Sequence, residues 1–141
     1  MSDAEQNLRL NPDSGDVAAT DGAIAYATGS ASPNLVGSAY TNNFAGATTT
    51  TLYGIDSTAD ALVIQNPPNN GTLNTVGSLG VDTTDIVGFD IFGCDNVGYA
   101  ALTLSGATSS NLYRINLSTG AATLIGTIGI GETIRGIALQ Q

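Results

Sequence analysis

Few side chains in this chain could carry out covalent or acid–base chemistry. Its 141 residues include no histidine and a single cysteine, Cys94, which lies beside Asp95 in the segment FGCDNVG. The lack of histidine excludes Ser-His-Asp and Cys-His catalytic arrangements as well as His-containing zinc sites. One cysteine also excludes a disulfide within the chain. We therefore expect Cys94 to have a structural or incidental role, with a bridge to a second chain as the alternative.

Carboxylate pairs are the remaining candidates for catalysis, because two of them can hydrolyse a glycosidic bond. Asp90 lies within the segment VGFDI, and Asp56 follows the segment LYGI. Aspartates at turns and strand ends commonly accept hydrogen bonds from backbone N–H groups. We predict that role for both residues. The sequence therefore favours a protein that is not an enzyme, and a hydrolase ranks only third among the functions considered.

Two oxygen-rich loops are the candidates for metal binding. The segment NPDSGD contains Asp13 and Asp16, and the segment DSTAD contains Asp56 and Asp60. Carboxylate oxygens are preferred calcium ligands, but neither loop has the spacing of an EF-hand. A β-turn with polar corners explains both segments equally well. We expect no cofactor, and calcium held by these four aspartates is the alternative.

The charge of the chain restricts its partners. Twelve acidic residues face three arginines and no lysine, which gives a formal net charge of −9. Such a chain repels phosphate backbones and anionic lipids, so we expect neither nucleic-acid nor membrane partners. No apolar run reaches the roughly 18 residues of a membrane-spanning helix. The first segment, MSDAEQNLRL, is too polar for a signal peptide. If the parent protein is secreted, we expect its signal to have been removed or to lie outside this chain.

Two short motifs recur along the sequence. They indicate that the candidate residues above lie on repeated structural elements. The segment YRINLSTGA at 113–121 resembles LRLNPDSGD at 8–16 and, more loosely, LYGIDSTAD at 52–60. The second motif, VGSAY, VGFDI and RGIAL, has a central glycine that returns roughly every 50 residues, at Gly37, Gly88 and Gly136. Repeats of this length are typical of arrays, solenoids and propellers.

The spacing of apolar residues predicts strands and gives no convincing helix. Tyr113, Ile115 and Leu117 alternate with polar residues, the period-two pattern of a strand with one buried face. Two units of four antiparallel strands are predicted, in 35–80 (Leu35–Thr41, Thr50–Asp56, Ala61–Gln65, Leu73–Leu79) and in 86–129 (Ile86–Phe92, Gly98–Leu104, Asn111–Leu117, Ala121–Ile128). Four strands per roughly 40–50 residues is the repeat of a β-propeller blade. The predicted fold is therefore a single all-β domain, a propeller-like array of about half a propeller, with a β-sandwich as the alternative.

The two ends of this array are incomplete. Residues 7–34 supply the last two strands of a blade and an irregular crossing, and residues 134–140 supply one closing strand. Open strands invite pairing with another chain. We therefore expect copies of the protein to associate into a ring, a dimer or a filament. The residues expected at the interface are Leu8, Leu10, Ile134, Ile137 and Leu139.

An uncharacterised bacterial family, domain of unknown function 4394, resembles this chain in several long segments, among them QNLRLNPDSG, LVIQNPPNNGTLNTVGSLGV and LYRINLSTGAATLIGTIG. The resemblance runs from Gln6 to Leu139 and corresponds to the C-terminal half of the usual domain. It implies a secreted or cell-surface protein with a propeller-like fold. No activity is established for the family, so the resemblance implies no catalytic residue. The leading prediction is a self-assembling structural protein, and the alternative is an extracellular propeller that binds carbohydrate or peptide, with calcium in its loops.

Overall fold

The structure is a computed structural model that describes residues 5–140. The described residues form strands joined by turns, with one short 3-10 helix at Pro68–Asn70 and no α-helix. The all-β prediction is confirmed. The strands are β1 (Leu8–Leu10), β2 (Val17–Thr20), β3 (Ala25–Tyr26), β4 (Leu35–Tyr40), β5 (Leu52–Asp56), β6 (Ala61–Gln65), β7 (Thr72–Ser78), β8 (Thr83–Phe92), β9 (Val97–Leu104), β10 (Asn111–Ile115) and β11 (Ala122–Thr127).

Most strands belong to two sheets in which each strand pairs with the next along the chain. β4, β5, β6 and β7 are consecutive antiparallel neighbours in one sheet, and β8, β9, β10 and β11 are consecutive neighbours in the other. The first sheet has a fifth strand, β3, which pairs with β7 in parallel. The sequence predicted an irregular crossing in this part of the chain. Short turns explain the simple order, since they can join only antiparallel neighbours.

The alternation of side chains in β10 shows why these segments form strands. Tyr113 and Ile115 are buried, whereas Arg114 between them is exposed. Successive side chains of a strand point to opposite faces of the sheet. The strand ends at Ile115 and is followed by Asn116, whose carbonyl accepts the N–H of Gly120 at 2.8 Å and whose Oδ1 accepts the N–H of Ser118 at 2.9 Å. Asn116 thus fixes the tight turn that leads into β11.

The main core is made from the facing sides of the two large sheets. Its members include fully buried aliphatic side chains from both sheets, namely Ile55, Leu62, Leu79, Ile91, Leu102 and Ile115. A smaller cluster of Ile24, Leu35, Val63 and Leu73 lies under the crossing that contains β3. Each such side chain stabilises the fold by about 1.5–3 kcal/mol relative to an exposed one. The two sheets are therefore held as one body by apolar contact.

The first strands of the two sheets pack closely because glycine leaves room between them. A Cβ built on Gly37 of β4 would lie 3.0 Å from the Cβ of Phe89 in β8. The next contact in this series involves β8 and the end of the chain, where a Cβ on Gly88 would lie 2.9 Å from the Cα of Gly136. Residues 134–140 therefore lie beside β8.

The two ends of the described chain differ from the large sheets. β1 and β2 form a separate antiparallel sheet of two strands, with Arg9 opposite Ala19. Residues 134–140, where the sequence predicts a closing strand, form no strand within the described chain. The physical reason is that two of their backbone N–H groups bind side chains: that of Ile134 donates to Ser110 Oγ at 2.8 Å, and that of Leu139 donates to Asp90 Oδ2 at 2.7 Å. Without a ladder of backbone bonds, the segment is extended but irregular.

Candidate functional site

Asp56, a candidate for catalysis and for calcium, closes the turn between β5 and β6. Its side chain is fully buried, and Oδ1 accepts the backbone N–H groups of Asn34 at 3.1 Å, Thr58 at 2.9 Å and Ala59 at 3.3 Å. Oδ2 accepts a hydrogen bond from the hydroxyl of Tyr26. Burial, and then the neighbouring Asp56 carboxylate, raise the pKa of Tyr26 well above its usual value. Both oxygens of Asp56 thus bind groups of the protein itself.

Asp60, at the other end of the same turn, connects the two large sheets. Its backbone has a positive φ of 48°, a conformation that aspartate tolerates better than most residues. Its Oδ1 accepts the N–H of Thr83, the first residue of β8, at 2.8 Å. The N–H of Leu79 donates to the Asp60 carbonyl at 2.8 Å. Asp60 therefore helps to set where the second sheet begins.

The other two calcium candidates lie in a different loop, between β1 and β2. Asp13 and Asp16 are exposed, and their N–H groups bind Asn11 Oδ1 at 2.8 Å and Ser14 Oγ at 3.3 Å. These bonds are those of polar β-turns. Within residues 5–140, no group of three or more His, Cys, Asp or Glu side chains is placed to hold a metal ion. Calcium binding by Asp13, Asp16, Asp56 and Asp60 stays a prediction.

The remaining side chains that could take part in chemistry, Asp90, Cys94 and Arg9, lie on different parts of the fold. Asp90 accepts the N–H of Ile91 on Oδ1 at 2.8 Å and that of Leu139 on Oδ2, so its carboxylate fastens the end of the chain to β8. Cys94 is exposed in the turn between β8 and β9. Arg9 forms a two-pronged ion pair with Asp21, with distances of 2.9 and 3.0 Å. The Arg9 side chain is exposed, whereas that of Asp21 is 7% exposed, so the pair lies at the edge of the fold.

The residues predicted at an interface lie on two separate elements. Leu8 and Leu10 belong to β1, where Leu10 is 57% exposed and lies opposite Val17, itself 55% exposed. Ile134, Ile137 and Leu139 lie on the terminal segment beside β8, and all three are half-buried. Leu8 and Leu10 thus lie on a strand with an open edge. Ile134, Ile137 and Leu139 lie on a segment that β8 partly covers.

A second apolar edge was not anticipated from the sequence. Leu124 and Ile125 of β11 are both more than half exposed, at 58% and 54%. β11 pairs with β10 on one side only among the described strands. The run of apolar residues from Leu124 to Ile125 predicts a strand but gives no indication of which side stays open. That edge depends on the position of β11 as the last strand of its sheet.

A groove lies between β1 and the face of the first large sheet. It encloses about 260 Å³ and is lined by Leu8 and Arg9 from β1 and, across from them, by Ser38, Tyr40, Leu52 and Gln65. Gln65 is 2% exposed and donates from Nε2 to the carbonyl of Pro68 at 2.7 Å. Its Oε1 is the one buried side-chain polar atom without a hydrogen-bond partner in the described chain. The groove therefore places one unpaired buried acceptor, Gln65 Oε1, beside the face of the first large sheet.

None of the helices in residues 5–140 is long and apolar enough to cross a membrane. The described residues offer strand edges, a groove and carboxylates that close turns, and no three of their acidic groups are placed together to hold a metal ion.

A comparison of the sequence with curated proteins, and with solved structures, finds no match. A family model does match, over residues 1–138, and its description is Domain of unknown function (DUF4394). The match covers nearly the whole chain and agrees with the resemblance seen in the repeated segments. The protein belongs to this family.

Proposed function

We propose that this protein is a non-catalytic, self-assembling structural protein of β-propeller type, which completes its sheets by pairing with copies of itself. In this proposal the sheet of β4–β7 and the sheet of β8–β11 are two successive blades. The β1–β2 sheet and residues 134–140 are parts of further blades, and a second copy supplies what each lacks. No metal or cofactor takes part.

Two features support the arrangement of the sheets as blades. Each consists of four sequential antiparallel strands, as propeller blades do. The chain also returns after β11 to lie beside β8, much as β8 lies beside β4. In a propeller the first strand of every blade lies next to the axis, so successive first strands are neighbours.

The observation that carries the proposal is the isolated two-stranded sheet of β1 and β2. A two-stranded ribbon is marginally stable by itself in water. This one exposes Leu10 and Val17, each by more than half of its surface. Such an edge offers unpaired backbone groups beside apolar side chains, which is the surface that strand addition uses. A second copy that pairs there would cover both.

The assembly proceeds through main-chain hydrogen bonds flanked by apolar contacts. The interface residues proposed are Leu8, Leu10, Ile134, Ile137 and Leu139, which lie at opposite ends of the chain. An interface between two different surfaces of the same protein gives a ring or dimer if the rotation closes, and a filament if it does not. The secreted or cell-surface location is part of the proposal and rests on the family resemblance.

Size-exclusion chromatography with light scattering tests the proposal. We expect a mass larger than one chain at micromolar concentration, and a stable monomer would contradict self-assembly. The variant Leu10→Asp should lower the mass to that of one chain. Ile130→Asp is the matched control because Ile130 is 92% exposed in a loop after β11, and it should assemble like the parent protein. Removal of residues 134–141 should also abolish assembly, and survival of the oligomer would exclude that segment from the interface.

A further inference from the structure

The first strand of each large sheet packs through a glycine against the next element along the chain. This series of glycine contacts ends at Gly136, which lies at a free surface. The Cβ direction of Gly37 points from β4 to β8, with Phe89 Cβ 3.0 Å away and Val87 Cγ1 3.3 Å away. The Cβ direction of Gly88 points from β8 to the terminal segment, with Gly136 Cα and Ile137 N both 2.9 Å away. Each glycine thus leaves room for the next element in the series, for side chains of β8 at Gly37 and for the backbone of the terminal segment at Gly88.

Gly136 is the third glycine of this series, and no element of the described chain packs against its Cβ direction. A Cβ built on Gly136 would have no heavy atom within 4 Å. Its backbone touches Gly88 on one side, so its own Cβ direction faces away from β8 into open space. Within the described chain, the next element covers the Cβ side of Gly37 and of Gly88, whereas the Cβ side of Gly136 is uncovered.

The complementary surface lies on the other side of β4, where a groove separates it from β1. In β8, Val87 and Phe89 contact Gly37 of β4, and both belong with Ile91 to the shared core. The spacing of the repeat places Ser38 and Tyr40 of β4 in the positions of Phe89 and Ile91. Both Ser38 and Tyr40 are exposed, Tyr40 by 42%, and both line the groove beside β1. The first sheet thus lacks the neighbour that the second sheet has.

We propose that Gly136 of one copy docks against Ser38 and Tyr40 on the outer face of β4 in a second copy, an inference that rests on the proposed self-assembly and names its contact. The terminal segment of the first copy then lies in the groove beside β1 of the second. The contact repeats between chains the packing that Gly37 and Gly88 make within one chain. The partner is a copy of this chain because it carries both halves of the contact.

Gly136 can be enlarged without strain in a single protomer, which makes the inference testable. Its φ lies outside the left-handed region, and its Cβ direction is open. We expect Gly136→Val to fold and melt like the parent protein but to run as a monomer. Gly126→Val on β11 is the matched control, because Gly126 also has open space around its Cβ direction and no left-handed φ. It should assemble normally.

A variant of the receiving surface completes the test. Ser38→Trp fills the outer face of β4, so we expect it to fold as a monomer too. Mixing the two variants should restore a dimer. The Ser38→Trp chain supplies an intact Gly136, and the Gly136→Val chain supplies the intact Ser38 against which it docks. Light scattering of each variant and of the mixture, with thermal melts to verify folding, gives the answer.

The outcomes separate this inference from the proposed function. A parent protein that is a monomer overturns self-assembly and the docking contact together. Normal assembly of Gly136→Val overturns the docking contact alone, as does a Gly126→Val control that dissociates equally. A mixture that stays monomeric also overturns the contact between Gly136 and Ser38.

Discussion

Gly77 of β7 and Gly120 of the turn before β11 lie in direct backbone contact. A Cβ on Gly77 would collide with the carbonyl oxygen of Thr119, and a Cβ on Gly120 would collide with the carbonyl oxygen of Gly77. Beside this contact, the N–H of Ala122 donates to the carbonyl of Leu79 at 2.9 Å. Backbone atoms of the two large sheets thus touch directly at this point, which requires that both positions lack a side chain.

Gly77→Ala should weaken this junction. The added methyl group meets a carbonyl of the neighbouring turn, and backbone cannot move aside as a flexible side chain can. Overpacking of this kind costs about 1–3 kcal/mol in the free energy of unfolding. Thermal or urea unfolding measures the loss. Gly126→Ala, at a strand position with open space, is the control, and equal melting temperatures for the two variants would contradict the prediction.

Tyr26→Phe should destabilise the fold through Asp56. The hydroxyl of Tyr26 is the donor for Asp56 Oδ2, and the carboxylate is fully buried. Loss of a hydrogen bond to a charged group costs about 1.5–3 kcal/mol. Urea unfolding of the variant gives the value. Tyr99→Phe serves as the control, since the structure gives the Tyr99 hydroxyl no hydrogen bond among the described residues, and a loss of equal size there would count against the role of Asp56.

Alkaline pH should lower the stability through the same tyrosine. The pKa of Tyr26 is raised in the folded protein, mainly by burial and then by Asp56, whereas an unfolded tyrosine titrates near pH 10. The unfolded state therefore releases this proton first, so the contribution of Tyr26 is complete below about pH 10 and is lost as the pH rises further. The free energy of unfolding, measured between pH 8 and about 11, should fall more steeply for the parent protein than for Tyr26→Phe. Parallel slopes would show that Tyr26 titrates normally.

Ser110→Ala should loosen the end of the chain. Ser110 is 1% exposed, and its Oγ lies 2.8 Å from Thr103 Oγ1 and accepts the N–H of Ile134 at 2.8 Å. Removing the hydroxyl costs about 1 kcal/mol at this attachment. Hydrogen exchange should become faster in residues 132–140 and stay unchanged in β9. Ser109→Ala is the control, and it should leave the exchange of the segment as it is in the parent protein.

Calcium and EDTA should leave the melting temperature unchanged. A calcium ion takes six to eight oxygen ligands, whereas both oxygens of Asp56 and Oδ1 of Asp60 already accept hydrogen bonds from the protein. Differential scanning fluorimetry with either additive checks this. A calcium-dependent rise that disappears in Asp13→Asn or Asp60→Asn would instead support the ligand-binding alternative, because an ion that binds the folded state raises its stability.

The strands of both large sheets could be predicted because their signal is local. Alternation such as that of Tyr113, Arg114 and Ile115 sets which face of a strand is buried, and turn residues such as Asn116 set where it ends. The same local pattern predicts a strand at 134–140, a segment that forms none within the described chain. RGIAL resembles the strands of its motif, but a strand also needs a neighbour that supplies backbone partners, and the described chain provides side chains instead.

The sequence by itself determined the all-β fold, the order of the strands within each large sheet and the lack of histidine-based chemistry. Only the tertiary structure decided that β3 pairs with β7, that Asp56 meets Tyr26 and that Gly77 meets Gly120. Each of these contacts joins residues at least 30 positions apart. Periodicity and turn chemistry act over a few residues, whereas these contacts arise where distant segments meet, within the first large sheet for β3 and Asp56 and between the two large sheets for Gly77, and they leave no local pattern in the sequence.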